Sequence, residues 1–172
     1  KGLALSQNKN LKVKFTLFKE SFHRLQTIIM TQSSNKTTQK PVQTIMVTSA
    51  LPWEGKSTIV TNLAIAFSKA GKKTLVVDAD MRIPSQHKNI GVQNERGLSD
   101  VLNGEAKSDE VIQKTRYSDM YLLTSGSFSS NHTELLGGSN LKKLVGGLTK
   151  QYEIIILDTP ALLPVADAAL IA

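Results

Sequence analysis

At 172 residues the chain is long enough to bury about 70% of the surface its unfolded form would expose, and its lack of cysteine excludes disulfides and thiolate-bound zinc. The net charge of +7 is unevenly placed: residues 1–40 hold eight Lys and Arg against Glu20 alone, whereas residues 41–172 hold thirteen charges of each sign. The longest apolar stretch, residues 154–172, is interrupted by Asp158, Asp167 and two prolines, which excludes it as a membrane span.

In chain order, residues 1–40 read as a basic arm. LFKESFHRLQTIIM (17–30) places Leu17, Phe18, Phe22, Leu25, Ile28 and Ile29 on one helical stripe, predicting an amphipathic helix, and TQSSNKTTQK (31–40) reads as a polar linker ending at Pro41. Such an arm suits an anionic membrane surface or an acidic protein, or is a solvated tail; without interleaved aromatics, nucleic acid is not expected. The first 30 residues lack the pattern of a secretory leader. The sequence opens on Lys1 and stops within an apolar pattern at Ala172, so it reads as a fragment.

From Pro41 onward strand and helix patterns alternate. Strands are predicted at 43–49, 74–78, 119–124 and 153–158, and helices at 57–70, 97–103, 108–115 and 133–150, the last broken at Gly137 and Gly138. The alternation predicts an α/β domain over 41–172, with a mostly parallel sheet. The unbroken runs TLVV and IIIL fit strands covered by helices on both faces.

Between the first strand and helix stands Ala50-Leu51-Pro52-Trp53-Glu54-Gly55-Lys56-Ser57, a phosphate-loop pattern with alanine in place of the usual first glycine. Gly55 permits close main-chain approach, free amides at the helix start cradle an anion, Lys56 supplies a mobile charge, and Ser57 offers a hydroxyl to magnesium. At 4 Å and an effective dielectric of 20, that lysine is worth about 4 kcal/mol. The spacing also fits an ordinary helix start after a glycine turn, so the strand ends carry the decision. TLVV runs into Asp78-Ala79-Asp80-Met81-Arg82 and IIIL into Asp158-Thr159-Pro160, placing carboxylates on the sheet edge that holds the loop.

Taken together, SALPWEGKST, GKKTLVVDADMRIPSQH, GLSDVLNG, NHTELL and YEIIILDTPALLPVADA resemble the bacterial tyrosine kinases of capsule and exopolysaccharide synthesis. The resemblance implies a P-loop NTPase-like fold, and an ATP- and magnesium-dependent, autophosphorylating protein tyrosine kinase. Pro52, Trp53, Glu54, Gly55, Lys56, Ser57 and Thr58 would bind the nucleotide; Lys56, Asp78 and Asp80 would be catalytic, with Asp78 favoured as the base. Ser57, Asp78, Asp80 and Asp158 would organise Mg2+. The implied partners are a membrane-embedded polysaccharide chain-length regulator, tyrosine substrates and further copies of the chain, with the domain cytoplasmic, peripheral at the inner face of the membrane.

Departures from the family pattern sharpen the expectations. Trp53 replaces a usual glycine, and His23 and Gln26 stand where the self-assembly helix of the family carries arginines. The tyrosine-rich tail is absent; Tyr117, Tyr121 and Tyr152 are scattered, the latter two reading as packing residues. His87 reads as a hydrogen-bonded structural histidine, Arg82 equally as a site residue or an ion pair, and 125–131 as a loop. A partition-type ATPase is disfavoured because Leu51 holds the position of that group's signature lysine; a non-catalytic nucleotide-binding scaffold stays open.

Overall fold

The computed structural model describes residues 2–34, 41–126, 132–163 and 167–171, with side chains from residue 13 on except 15 and 32–34. The chain divides into two units, Lys1–Pro41 and Val42–Ala172.

Within the first unit the described residues form a helix, α1 (Gly2–Ser34), longer at both ends than the predicted 17–30. After Gly2 no glycine or proline interrupts residues 3–34, and good helix formers fill much of the extension. Residues 31–34, expected in the linker, close the helix instead. Thr31 bonds its hydroxyl to the Thr27 carbonyl at 2.9 Å, as Thr27 does to His23, so these polar side chains are satisfied within the helix. The rest of the expected linker, residues 35–40, lies outside the described residues. Phe18 and Phe22 meet edge to face at 5.0 Å, one turn apart. No described helix is long and apolar enough to cross a membrane.

In the second unit β1 (Thr44–Val47) leads through the loop into α2 (Lys56–Lys69) and then β2 (Thr74–Asp78). Next come α3 (Gln86–Ile90), α4 (Leu98–Leu102), α5 (Ser108–Val111), β3 (Gln113–Lys114) and β4 (Met120–Leu123). After α6 (His132–Gly137) and α7 (Ser139–Leu148), the chain forms β5 (Ile154–Asp158) and α8 (Asp167–Ile171). The sheet order is β1-β5-β2-β4-β3; the first four strands are parallel, and β3 pairs antiparallel with β4 at the edge.

Four elements of this unit differ from the sequence expectation: α5 is shorter, and α3, β3 and α8 were not expected. The helix expected over 108–115 ends at Val111, because Gln113 and Lys114 pair with Leu122 and Tyr121. Helix α3 was not expected: five residues behind Pro84 are too few to show a period. The expected break at Gly137 and Gly138 is present, Gly138 adopting an extended conformation ahead of α7.

Alternation within the buried strands feeds two cores. Leu75, Val77, Ile155, Leu157 and Leu123 join Leu98, Leu102, Leu136, Leu141 and Leu148 in one cluster, so α4, α6 and α7 cover that face. Helix α2 contributes buried Val60, Leu63, Ala64 and Phe67 and packs on β2 and β5. At the opposite end from the loop, Tyr121 and Tyr152 meet edge to face at 5.4 Å with Lys73 over both rings, which accounts for their packing role.

Register fixes the functional edge. Asp158 on β5 lies opposite Val47 on one side and Asp78 on the other. The carboxyl ends of β1, β5 and β2 therefore finish level, beside the loop that follows β1.

Candidate functional site

The loop between β1 and α2 is shaped by a few local bonds. The Ser49 hydroxyl donates to the Leu51 carbonyl at 2.8 Å, and the Leu51 amide donates to Glu54 Oε2 at 3.1 Å. Gly55 stands at φ 87°, in the left-handed region where glycine carries no Cβ penalty, and a Cβ there would meet no protein atom within 4 Å. Its open side is a cradle in front of the first amides of α2. Trp53 also takes a left-handed conformation, φ 67°, with its side chain 86% exposed. The backbone turn associated with glycine is thus kept by a bulky residue at a cost in strain.

Lys56 is buried, 8% exposed, and Ser57 is half-buried, at the head of α2. Together with Pro52, Trp53, Gly55, Thr58 and Asp80 they line a cleft of about 380 Å³, a size suited to a small-molecule ligand. The Glu54 side chain accepts the Leu51 amide and so braces the loop.

The carboxylates occupy two depths. Asp80 borders the cleft and accepts the Ile83 amide at 3.1 Å. Burial raises its pKa, against hydrogen bonding from Ile83 and the charge of Lys56. Asp78 and Asp158 lie below, both fully buried. Asp78 Oδ2 accepts the amides of Ser85 and Gln86 at 3.2 and 3.0 Å, while its Oδ1 has no partner. Burial, reinforced by the neighbouring Asp158 charge, pushes the Asp78 carboxyl up to about 8. Asp158 Oδ2 accepts the Gln86 side-chain amide at 2.7 Å, and its Oδ1 likewise has no partner. Burial raises its pKa as well, with Gln86 and Ser57 hydrogen bonds pulling the other way.

Arg82, on the rim, resolves into an ion pair. Its Nε donates to Asp167 Oδ2 at 2.7 Å and its terminal nitrogen to Thr133 Oγ1 at 2.9 Å, while Thr133 donates to Asp167 Oδ1 at 2.7 Å. Burial alone would raise the Asp167 pKa; Arg82 and Thr133 more than offset it and hold the carboxyl below the usual range. Neither partner was singled out from the sequence. His87 departs from its expectation: its buried Nδ1 has no hydrogen-bond partner, and burial lowers its pKa, favouring the neutral ring. Of the loop expected at 125–131, residues 127–131 lie outside the described residues, as does Asn131 of NHTELL.

Lys56, Ser57 and Asp80 thus meet at one cleft, with Asp78 and Asp158 directly below the same sheet edge. Among the described residues no three carboxylate or imidazole groups suffice to hold a metal by themselves. The donor set nevertheless fits magnesium, which is commonly held by one or two carboxylates, phosphate oxygens and water. The unpartnered Oδ1 atoms of Asp78 and Asp158 are oxygens of the kind such an ion recruits. Gln86, absent from the sequence expectation, connects the parts; its bonds span 25 to 72 positions in sequence, and no local spacing could signal them.

The AAA_31 family, described as an AAA domain, matches residues 42–172. The chain is 38% identical over 132 residues to a Bacillus subtilis protein named tyrosine-protein kinase YwqD, covering 77% of this chain and 56% of that one. Other curated relatives carry tyrosine-protein kinase names too, one of them from a capsule (cps) region of Klebsiella pneumoniae. Among solved structures, the chimerical protein CapA2B2 superposes with a TM-score of 0.81 at 38% identity, over 88% of this chain and 65% of that chain. The septum site-determining protein MinD of Pyrococcus horikoshii, complexed with Mg-ADP, gives 0.65 at 29% identity over 76% of this chain and 53% of that one. The chain spans little more than half the length of the first of these curated relatives.

Proposed function

Because this chain belongs to the AAA_31 family of AAA domains, with the bacterial tyrosine kinases of capsule and exopolysaccharide synthesis as its relatives, we propose that it is the nucleotide-binding domain of an autophosphorylating protein tyrosine kinase. The observation that carries the reading is the 38% identity to a named tyrosine kinase over 132 residues, beside a family match over residues 42–172 that includes the loop and both acidic strand ends.

In this reading the cleft takes ATP. The loop amides and Lys56 hold its phosphates, and Lys56 neutralises charge that develops as a phosphoryl group moves from ATP to a tyrosine oxygen. Ser57 and Asp158, with help from Asp78 and Asp80, would hold a magnesium ion, which would supply positive charge against that of the phosphates. The phenolic proton passes to a carboxylate. Asp78 is assigned that role on the family resemblance and its place at the end of β2, beside the loop. Asp80 is the second assignment, favoured by its place on the cleft wall. Substituting each by Asn separates them: the base variant loses phosphoryl transfer while retaining nucleotide.

The partner is proposed to be a membrane-embedded chain-length regulator, with the basic arm next to the inner face of the membrane or to that partner, and further copies of the chain as neighbours in an oligomer. The competing reading is a nucleotide-switched ATPase or scaffold, for which the likeness to MinD is the supporting observation. Leu51 at the signature-lysine position stands against the ATPase.

The deciding experiment is phosphopeptide mapping of the natural protein with Mg-ATP and its partner's cytoplasmic segment. Phosphotyrosine should appear, and Lys56→Ala should remove it, with about three decades lost in binding or rate. Transfer that persists in Lys56→Ala would sink the loop assignment, and nucleotide binding without any transfer would favour the scaffold.

A further inference from the structure

Gln86 is a fully buried amide with no apolar reason to be there. Its Nε2 donates to Asp158 Oδ2 at 2.7 Å and to the Ser57 carbonyl at 3.0 Å. Its Oε1 lies 2.8 Å from the Thr61 hydroxyl, and its backbone amide donates to Asp78 Oδ2 at 3.0 Å. The amide orientation is chemically forced, because a carboxylate and a carbonyl on one side both demand the NH2 group. One residue therefore joins three elements, its side chain linking the end of β5 to the first turn of α2 and its backbone amide bonding the end of β2.

We propose that Gln86 is a positioning residue that couples metal loading at Asp158 to phosphate engagement at Ser57; this rests on the nucleotide reading above. By occupying Asp158 Oδ2, Gln86 fixes the carboxylate so that Oδ1 is the oxygen left free. The same nitrogen holds the Ser57 carbonyl, so a shift of the first turn of α2 is felt at Asp158 through a single group. The single Thr61 hydroxyl proton is shared between two acceptors, Gln86 Oε1 and the Ser57 carbonyl, each 2.8 Å away, and when given to Oε1 it locks the far side of the amide. A residue needed for filling alone would be replaceable by an apolar one of equal length. The coupling needs the two donors.

The test measures binding of a fluorescent ADP analogue, with and without Mg2+, to the wild type, Gln86→Met and Thr61→Val, alongside thermal melting. Gln86→Met keeps length and apolar bulk but donates nothing. It should leave the metal-free dissociation constant within about two-fold and cut the Mg2+ enhancement of affinity by about ten-fold, the scale of a lost hydrogen bond to a charged group. Thr61→Val should cut the enhancement in the same direction by less. An unchanged enhancement in Gln86→Met, whatever its melting temperature, overturns the inference, as does an equal loss of affinity with and without Mg2+. If Gln86→Met fails to fold, an unchanged enhancement in Thr61→Val overturns it instead. A wild type that binds no ADP analogue at all removes the nucleotide reading itself, an outcome distinct from either.

Discussion

Asp167 and Asp158 are the same residue type, neither with surface exposed to water though Asp167 lies the shallower, and yet they hold protons in opposite ways. Asp167 has a guanidinium and a hydroxyl shared across both oxygens, and stays ionised. Asp158 is bonded by neutral donors, Gln86 and Ser57, and its proton affinity rises, as does that of Asp78 beside it. Burial is the largest influence on all three; a guanidinium bonded to the carboxylate at Asp167, against neutral donors and neighbouring carboxylates at the other two, decides its outcome. The paired carboxylate ties α8 to the loop after β2. The under-supplied pair stores an unmet demand that a cation can satisfy.

Several changes would break or sharpen that contrast. The largest effect is expected from Lys56→Ala, which takes away the cation that lowers the proton affinity of Asp80 and Asp158. It should cost about three decades of nucleotide affinity or transfer, read by calorimetry or phosphotyrosine yield. Arg82→Ala would convert Asp167 to the under-supplied kind. Unfolding in urea should show a loss of about 1–3 kcal/mol, or about 2–4 °C in melting temperature for each kcal/mol. Arg82→Lys should restore part of it; an unchanged midpoint in Arg82→Ala would show that the pair contributes nothing.

The pH response follows with a definite sign. Asp78 has a folded pKa of about 8 against a usual value of 3.8, so between these the folded state binds the extra proton. Stability of the metal-free, nucleotide-free domain should therefore fall as pH rises through that window, with Asp80 and Asp158 adding in the same direction. Melting curves from pH 5 to 8.5 should slope downward, and Asp78→Asn should flatten them. The depressed Asp167 acts oppositely: its contribution is present above the usual carboxylate range and is lost as pH falls through its lowered pKa. The smallest change is Thr133→Val, which removes one of the donors to Asp167 and should cost about 1 kcal/mol in the same urea measurement.

How much of this the sequence discloses depends on the range of the forces involved. TLVV and IIIL announce themselves because strands buried on both faces need no polar alternation, and the loop is readable because its glycine, lysine and serine act within a few residues. Helix α3 and the two-residue β3 are too short to carry a period, and β3 exists only through its pairing with β4. The extension of α1 escaped notice because its continuation is a matter of propensity and lacks the apolar stripe that marks 17–30. Gln86, Thr133 and Asp167 act through contacts between elements far apart in the chain, which the fold alone creates.

The single tryptophan of the chain stands at the mouth of the cleft, 86% exposed and held at φ 67°. An indole in that setting emits as a water-bathed chromophore, with no second emitter of its kind to obscure it. Any base, metal-induced loop movement or partner that covers it should shift its emission to the blue or quench it. The residue that departs most visibly from a glycine-shaped loop thus furnishes an intrinsic optical probe, read without any label, of whether the cleft is filled.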